Sequence, residues 1–384
     1  MSFTGKATYS AGATLPEIAE DVADIISIVS PYETPLLDHL GDAPRAAGST
    51  YHEWLEDTLL PNKDTINDAS VDGSGYSTSF TVSHGSYFRV GDQIQGAGSS
   101  ELILVTGISD NTISVTRGYG GTTEETLSDA QTLHILGNAA LEGDDAPTAR
   151  FTNRQRLGNW TQIFTAAVRV SGSELAVRKL SVADELDYQK QERLRELLRD
   201  LENTVINGIS AESDQQGSST VRRTMKGILP TLTTNVFTPG ADSFPSDTDL
   251  TEEQLNLALR LIWENASSQV DTIVCNGYQK RRINGFITSS RSYASNEDTF
   301  RNMVSMYESD FGVCRVILSR SVPTDKILLL DSSRVDVLPL TGRSFQYKAL
   351  ASTGDFDAGE LIGEYTLELR NQIAHGVISG LDAS

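Results

Sequence analysis

Few residues in this chain are placed to do chemistry. The five histidines, His39, His52, His84, His134 and His375, are scattered. No two stand three or four residues apart, the spacing that would put two imidazoles on one helix face for a metal ion. The nucleophile-elbow pattern GxSxG, the phosphate loop GxxxxGK(S/T), the zinc motif HExxH and the dinucleotide fingerprint GxGxxG are all missing. Glu142, Asp144 and Asp145 form an acidic cluster without the ligand spacing of a calcium loop, so a solvated loop is expected. Cys275 and Cys314 lie in apolar runs outside any CxxC or CxxH spacing. Buried free thiols and a reducing compartment fit that context, and the spacing leaves a disulfide open. Two basic groups stand out, Lys280-Arg281-Arg282 and Arg150 with Arg154 and Arg156. Neither is interleaved with aromatics as a nucleic-acid platform would be, which leaves ion pairing with another chain or plain surface charge. Asn159-Trp160-Thr161 and Asn265-Ala266-Ser267 match glycosylation sequons, which are chance matches if the chain is made in a bacterium. No catalytic, cofactor-binding or metal residue is assigned, and no cofactor is expected.

Scattered chemistry shifts attention to the scaffold. The chain has 384 residues, too many for one compact core, with 38% hydrophobic and 22% charged residues and 31 glycines. That composition describes a folded protein rich in loops. A net charge of −21 favours solubility and, on average, repels nucleic acid and anionic membranes. No stretch approaches the ~18 apolar residues of a membrane span. Met1-Ser2-Phe3-Thr4-Gly5-Lys6 lacks a basic-then-apolar signal pattern, so synthesis in the cytosol is expected.

Periodicity supplies the elements. Thr14 and Glu17 make a capping-box pattern before Ile18, Val22, Ile25, Ile26 and Val29, which share one helical face, and Pro31 ends the run. Such an amphipathic helix docks either on its own core or on a neighbouring chain. Residues 50–75 are mixed, with Tyr51, Trp54 and Leu55 as anchors. From 78 to 137 the pattern is short strands, including Ser79–Val82, Tyr87–Val90, Leu102–Val105 and Thr112–Val115, with a hairpin turn at Asp110-Asn111. This reads as a small inserted all-β module. Residues 151–178 read as strand then short helix, anchored by Ile163, Phe164, Val168 and Val170. The spacing then predicts a long helix over 181–207, about 40 Å at ~1.5 Å per residue, with Ser181 as N-cap. Residues 208–250 are loop-like. Thr251 and Gln254 form a capping box before a helix on which Leu255, Leu259, Ile262 and Trp263 share a face. A strand at Asp271–Cys275, a helix over 277–288, apolar runs at Val313–Leu318 and Lys326–Leu330, and strands from Tyr365 to Ile378 complete an α+β chain with an α/β segment over 251–340.

Several segments, in this order, resemble one family: Ser30-Pro31-Tyr32-Glu33-Thr34-Pro35-Leu36-Leu37, His52-Glu53-Trp54-Leu55-Glu56-Asp57-Thr58-Leu59, Glu142-Gly143-Asp144-Asp145-Ala146, Arg156-Leu157-Gly158-Asn159-Trp160-Thr161-Gln162-Ile163-Phe164, Val170-Ser171-Gly172-Ser173, Asp310-Phe311-Gly312, Thr353-Gly354-Asp355 and Gly363-Glu364-Tyr365-Thr366-Leu367-Glu368-Leu369. They are similar to the SU-ten-like major capsid proteins of tailed phages, a branch of the Hong Kong 97-type shell fold. The resemblance implies an N-terminal arm at 1–50 and an extended loop at 51–150 carrying the β module, about 76–138. It implies a peripheral domain at 151–230 and 335–384 with the long helix as spine, and an axial domain at 231–334. It further implies a structural subunit and not an enzyme. Such a subunit forms hexameric and pentameric capsomers of an icosahedral head around double-stranded DNA, and is made and assembled in the host cytoplasm. A portal protein is an expected partner, and scaffold and decoration proteins are left open. The rival readings are a decoration or tail subunit, or a small-molecule-binding α/β protein or enzyme.

Overall fold

The structure, a computed structural model, describes residues 33–73, 77–143, 145, 149–176, 184–241, 244–266, 269–290, 306–351 and 353–383. The amphipathic helix expected before Pro31 and the N-cap expected at Ser181 lie outside these. The chain forms two compact units, one built from residues up to Trp54 and from Arg156 onward, the other from Leu55–Gln155.

The first unit opens with a short helix, α1 (Pro35–Leu40), which has proline at its start, where the missing N–H costs nothing. Leu36 is fully buried. The chain then runs out along β1 (Tyr51–Glu56).

The second unit is a closed barrel. Its strands are β2 (Lys63–Thr65), β3 (Ser70–Val71), β4 (Ser79–Thr81), β5 (Asp92–Gly96), β6 (Leu102–Ser109), β7 (Thr112–Thr116), β8 (Leu127–Ser128) and β9 (Thr132–Asn138). Six of them form one antiparallel sheet in the order β2-β9-β5-β6-β7-β4, and β3 pairs with β8. The two outer strands meet where Ile66 bridges Val82, flanked by Asn67 N–H donating to Thr81 O and Ser83 N–H to Thr65 O, both at 2.9 Å. Closure removes the exposed edges that invite aggregation. The barrel therefore begins well before residue 76, because β2 and Ile66 complete it. Alternation sends Phe80, Ile94, Ile103, Val105, Ile113 and Val115 inward. Asp110, with φ of 51°, turns β6 into β7 in a two-residue hairpin, as its sequence suggests. The strand expected at Tyr87–Val90 is not formed. A 3-10 turn occupies Gly85–Tyr87, and Asp92 then bends the chain by accepting the Arg89 N–H at 2.6 Å.

Beneath the barrel core lies a buried ion pair. Arg117 Nε and Nη2 donate to the two Glu101 oxygens at 2.6 and 2.7 Å. The Gly118 and Glu125 N–H groups also reach Glu101, each at 3.0 Å. Arg117 donates as well to the carbonyls of Asp72 and Glu125. Burial alone pushes the Glu101 carboxyl up. The Arg117 and backbone hydrogen bonds outweigh it and hold the group below the usual carboxylate range.

The chain re-enters the first unit along β10 (Gln155–Trp160), paired with β1, and continues into β11 (Gln162–Ser171) and α2 (Gly172–Ala176). Phe164, Val168 and Val170 are buried as expected, but Ile163 faces outward because it sits on the alternate side of the strand. The long helix is α3 (Glu185–Asn207), 23 residues or about 35 Å. Asp184 caps it, accepting from the N–H groups of Leu186 and Asp187. Next come α4 (Ile228–Thr231), β12 (Val236–Phe237) and α5 (Glu252–Asn265). Both bonds of the Thr251–Gln254 capping box are present, at 3.1 and 3.3 Å. Leu255, Leu259 and Ile262 are buried, but Trp263 is 57% exposed, turned aside against Phe311 at a ring separation of 5.9 Å.

The remaining elements are β13 (Thr272–Cys275), α6 (Gly277–Ser290), β14 (Met306–Ser309), β15 (Gly312–Leu318), β16 (Lys326–Leu330), β17 (Val335–Pro339), β18 (Gln346–Leu350), β19 (Phe356–Leu369) and β20 (Gly376–Ser379). Six strands form a mixed sheet in the order β12-β20-β16-β13-β15-β14. It is covered on both faces, which explains why β13 and β16 read as unbroken apolar runs. Ile273, Cys275, Ile327, Leu329 and Ile378 pack with Leu255, Leu259 and Ile262 of α5. Val274, Ile317, Leu328, Leu330 and Val377 pack in a second core with Leu197, Leu201, Val205 and Ile206 of α3. The strand β20, close to the C-terminus, thus completes the sheet that begins near residue 236. A second sheet joins β11 to β19, with β17 and β18 along the far side of β19. No helix among the described residues is long and apolar enough to cross a membrane.

His375 is sealed in this unit. Its Nδ1 accepts the Asp331 N–H at 3.2 Å, so Nε2 carries the proton and faces the Arg370 carbonyl at 3.3 Å. Burial pushes its pKa down to about 4. The unfolded chain takes up a proton near pH 6.5 that the folded chain refuses. Stability from this group is therefore intact above that pH and falls as pH drops toward 4. Urea unfolding at pH 7.5 and 4.5 checks this. The wild-type chain is expected to lose about 2–3 kcal/mol more than His375→Gln over that interval. Equal losses would contradict it.

Candidate assembly surfaces

The residues singled out for chemistry do not converge. His39 Nε2 lies 2.9 Å from Thr272 Oγ1, His52 pairs with Glu368, His84 with Asp64, and His375 is buried. Among the described residues no three His, Cys, Asp or Glu side chains are grouped to hold a metal ion. Cys275 and Cys314 are free and buried, and burial pushes both thiols up to about 12, which keeps them unreactive. Arg282 pairs with Asp249, Arg154 with Asp57 at 4.0 Å and Arg156 with Glu53 at 3.7 Å. Asn159 is a buried structural residue. Its amide donates to the carbonyls of Lys226 and Leu367 and its oxygen accepts from the Lys226 and Trp160 N–H groups.

The dense polar chemistry lies on one face of β19. Glu364, Thr366 and Glu368 alternate along the strand and all are buried, while Leu367 and Leu369 point into the opposite core. Glu364 accepts from Thr161 Oγ1 at 2.6 Å and pairs with Arg223 and, at 2.8 Å, with Arg343. Glu368 pairs with Arg45 and His52, both at 2.5 Å, and with Arg370 at 3.4 Å. Two carboxylates thereby fasten the segment after α1, the start of β1, the β10–β11 corner and the loop before α4 to one strand. Glu202 of α3 makes a third fastening. It is buried and accepts from the Leu36 N–H at 3.2 Å, the Leu37 N–H at 3.5 Å and Ser319 Oγ at 2.7 Å. Burial outweighs these bonds and raises its pKa.

Large apolar side chains stand open in the segments that precede and follow the barrel strands in sequence. Leu59 is 91% exposed, Phe151 81%, Leu141 79% and Leu55 61%. Leu55 is thus not the anchor its position suggested, because it lies on the uncovered side of β1. Contiguous apolar exposure marks surfaces that another molecule covers, and these four side chains are candidates for such a surface.

A long helix crossing two sheets, a mixed sheet with helices, and a two-stranded excursion carrying its own domain are the elements of the Hong Kong 97-like fold. Two solved structures share the fold over nearly their whole length. The chain of Microbacterium phage Oxtober96 is 12% identical with a TM-score of 0.50, covering 94% of this chain and 96% of that one. The capsid of a native GTA particle is 10% identical with a TM-score of 0.51, covering 99% and 100%. A comparison with curated protein sequences found no match. The model of the SU10 major capsid protein family matches residues 3–382, and the chain belongs to that family. It is a shell-forming capsid protein.

Proposed function

We propose that the chain builds hexamers and pentamers that close into the icosahedral head of a tailed phage around its double-stranded DNA, acting without catalysis. In this reading residues 1–50 are the arm, and 51–150 the extended loop with its barrel. Residues 151–230 with 335–384 form the peripheral domain around the α3 spine, apart from β20, which completes the sheet of the axial domain at 231–334. The arm and extended loop reach adjacent copies. A portal protein is the expected partner at one vertex, with scaffold and decoration proteins as further candidates, and assembly takes place in the host cytoplasm. DNA is enclosed without sequence-specific contacts, as the charge of −21 favours.

The observation that carries the reading is the exposure of Leu59, Leu141 and Phe151. Covering such a side chain contributes about 1.5–3 kcal/mol, and repetition around closed rings turns weak contacts into a stable particle. Leu59→Asp combined with Phe151→Asp is expected to abolish particles in light scattering while leaving circular dichroism and thermal unfolding unchanged. Particles forming at the wild-type concentration would contradict the proposal.

A further inference from the structure

Three contacts hold α1 to the body of the first unit. Leu36 is buried in the core that also holds Ile317 of β15 and Leu201 of α3. Glu202 of α3 accepts the Leu36 and Leu37 N–H groups at the start of the helix. His39, in its last turn, reaches the mixed sheet, where it meets Thr272 of β13 and Arg315 of β15. The contact with Arg315 is the unusual one. The Arg315 Nη1 stands 3.3 Å from His39 Nδ1. A guanidinium only donates, so Nδ1 is an acceptor and the ring proton sits on Nε2, which faces Thr272 Oγ1 at 2.9 Å. That arrangement exists only for a neutral imidazole. A second proton, on Nδ1, would set an imidazolium against the guanidinium.

Among the described residues no carboxylate pairs with Arg315 to offset that repulsion. The acids on the elements around α1 are engaged elsewhere. Asp271, just before β13, accepts from Ser332 N–H at 2.8 Å and Ser332 Oγ at 2.5 Å. Asp336 of β17 pairs with Arg370 at 3.1 Å and Arg45 at 3.7 Å. On the helix's own segment, Glu33 pairs with Arg320 at 3.6 Å and Asp38 accepts from Thr34 Oγ1 at 3.4 Å, and Asp42 follows the helix. Burial, and after it Arg315, push the His39 pKa down, with Asp271 opposing them. A detached His39 takes up a proton near pH 6.5 that the docked ring refuses. The contact is therefore intact above that pH and weakens as pH falls below it. Glu202 has the opposite sign. Burial raises its carboxyl, so acid relieves a buried charge there and does not open α1 from that end.

We propose that His39 and Arg315 form an acid-sensitive latch, closed at neutral pH and opened when His39 takes a proton, which sets how firmly α1 is held to the mixed sheet. In the shell reading α1 belongs to the arm, so the latch would tie the hold on the arm to pH. That consequence rests on the shell reading, and the latch itself does not. Hydrogen exchange of the full-length chain, kept below its assembly concentration, tests it at pH 7.5 and 5.0 with intrinsic exchange divided out. The reporters are the amides that close α1, Asp38 N–H on Thr34 O and Gly41 N–H on Leu37 O, and the amides of β13 and β16 are the reference. Relative to that reference, protection of α1 is expected to fall about tenfold on acidification, a modest figure for like charges this close near a surface. In 1 M NaCl the fall should shrink, because salt screens the repulsion. His39→Gln, which keeps a donor for Thr272 and takes no charge, and Arg315→Gln, which removes the repelling cation, are each expected to lose most of the fall. Glu202→Gln is expected to keep it. No fall in the wild type, an equal fall in His39→Gln, or a fall indifferent to both salt and Arg315→Gln overturns the latch. A fall abolished by Glu202→Gln assigns the response to that carboxyl and overturns it too. The measurement decides the latch whether or not the chain goes on to form shells.

Discussion

Replacing Arg117 by Met is expected to destabilise the barrel by about 3–5 kcal/mol, the usual cost of stranding one member of a buried ion pair. Glu101 would keep its two backbone donors but lose the guanidinium that meets both its oxygens. The carbonyls of Asp72 and Glu125 would lose their donor as well. Three loops that the pair holds together would loosen at once. Hydrogen exchange of the β5, β6 and β7 amides reports the effect locally, because the first unit has separate cores. The pH dependence supplies a second signature. In the wild type the Glu101 carboxyl is held low, so its contribution is full above the ordinary carboxylate pKa and fades only as pH falls through the depressed value. In the variant the carboxyl has no cation, and its protonation relieves the stranded charge. The deficit is expected to shrink between pH 7 and pH 4. Adding Glu101→Leu to Arg117→Met should recover part of the loss, since an apolar pair of similar volume avoids the buried charge. Unchanged exchange in Arg117→Met would contradict this account of the barrel.

Glu364→Ala is expected to cost about as much, ~3–5 kcal/mol, but in the first unit. The substitution leaves Arg223 and Arg343 facing one another with their shared carboxylate gone, and Thr161 without its acceptor. The other side-chain bond of Arg223, from Nε to the Thr161 carbonyl at 2.8 Å, belongs to the same corner. A double-mutant cycle with Arg223→Ala separates this pair from general damage, with a coupling of about 1–3 kcal/mol expected and independent, additive losses contradicting it. Chemical denaturation is the measurement. Glu368→Ala tests the neighbouring position and should also speed proteolysis between α1 and β1, because Arg45 and His52 depend on that carboxylate.

What was legible in the sequence depended on whether the cause was local. The β6–β7 hairpin announced itself through alternation and Asp110-Asn111, and α5 through Thr251 and Gln254, because turn and cap chemistry act within four residues. The strand β2 did not. Lys63-Asp64-Thr65 has no apolar alternation, and its place is set by the bridge from Ile66 to Val82, sixteen residues on. Tyr87–Val90 alternates like a strand, yet the Asp92 carboxylate turns it. The polar face of β19 reads as a solvent side, and only tertiary contacts bring Arg45, Arg223 and Arg343 over it. Asn159 matched a sequon, and nothing within its own segment shows that it joins Lys226 to Leu367. Family membership was legible because ordered segments along the chain carried it, whereas the assembly surfaces were not, since an exposed Leu59 looks like any other leucine until the fold leaves it uncovered.

The chain is expected to close into shells through its own contacts. Electron microscopy of the purified full-length protein, with light scattering on the same sample, tests it most directly. Closed particles, or rings of five and six subunits, are expected, and they disappear in the Leu59→Asp, Phe151→Asp variant. A monodisperse monomer at every concentration and salt, unchanged by those substitutions, would contradict it.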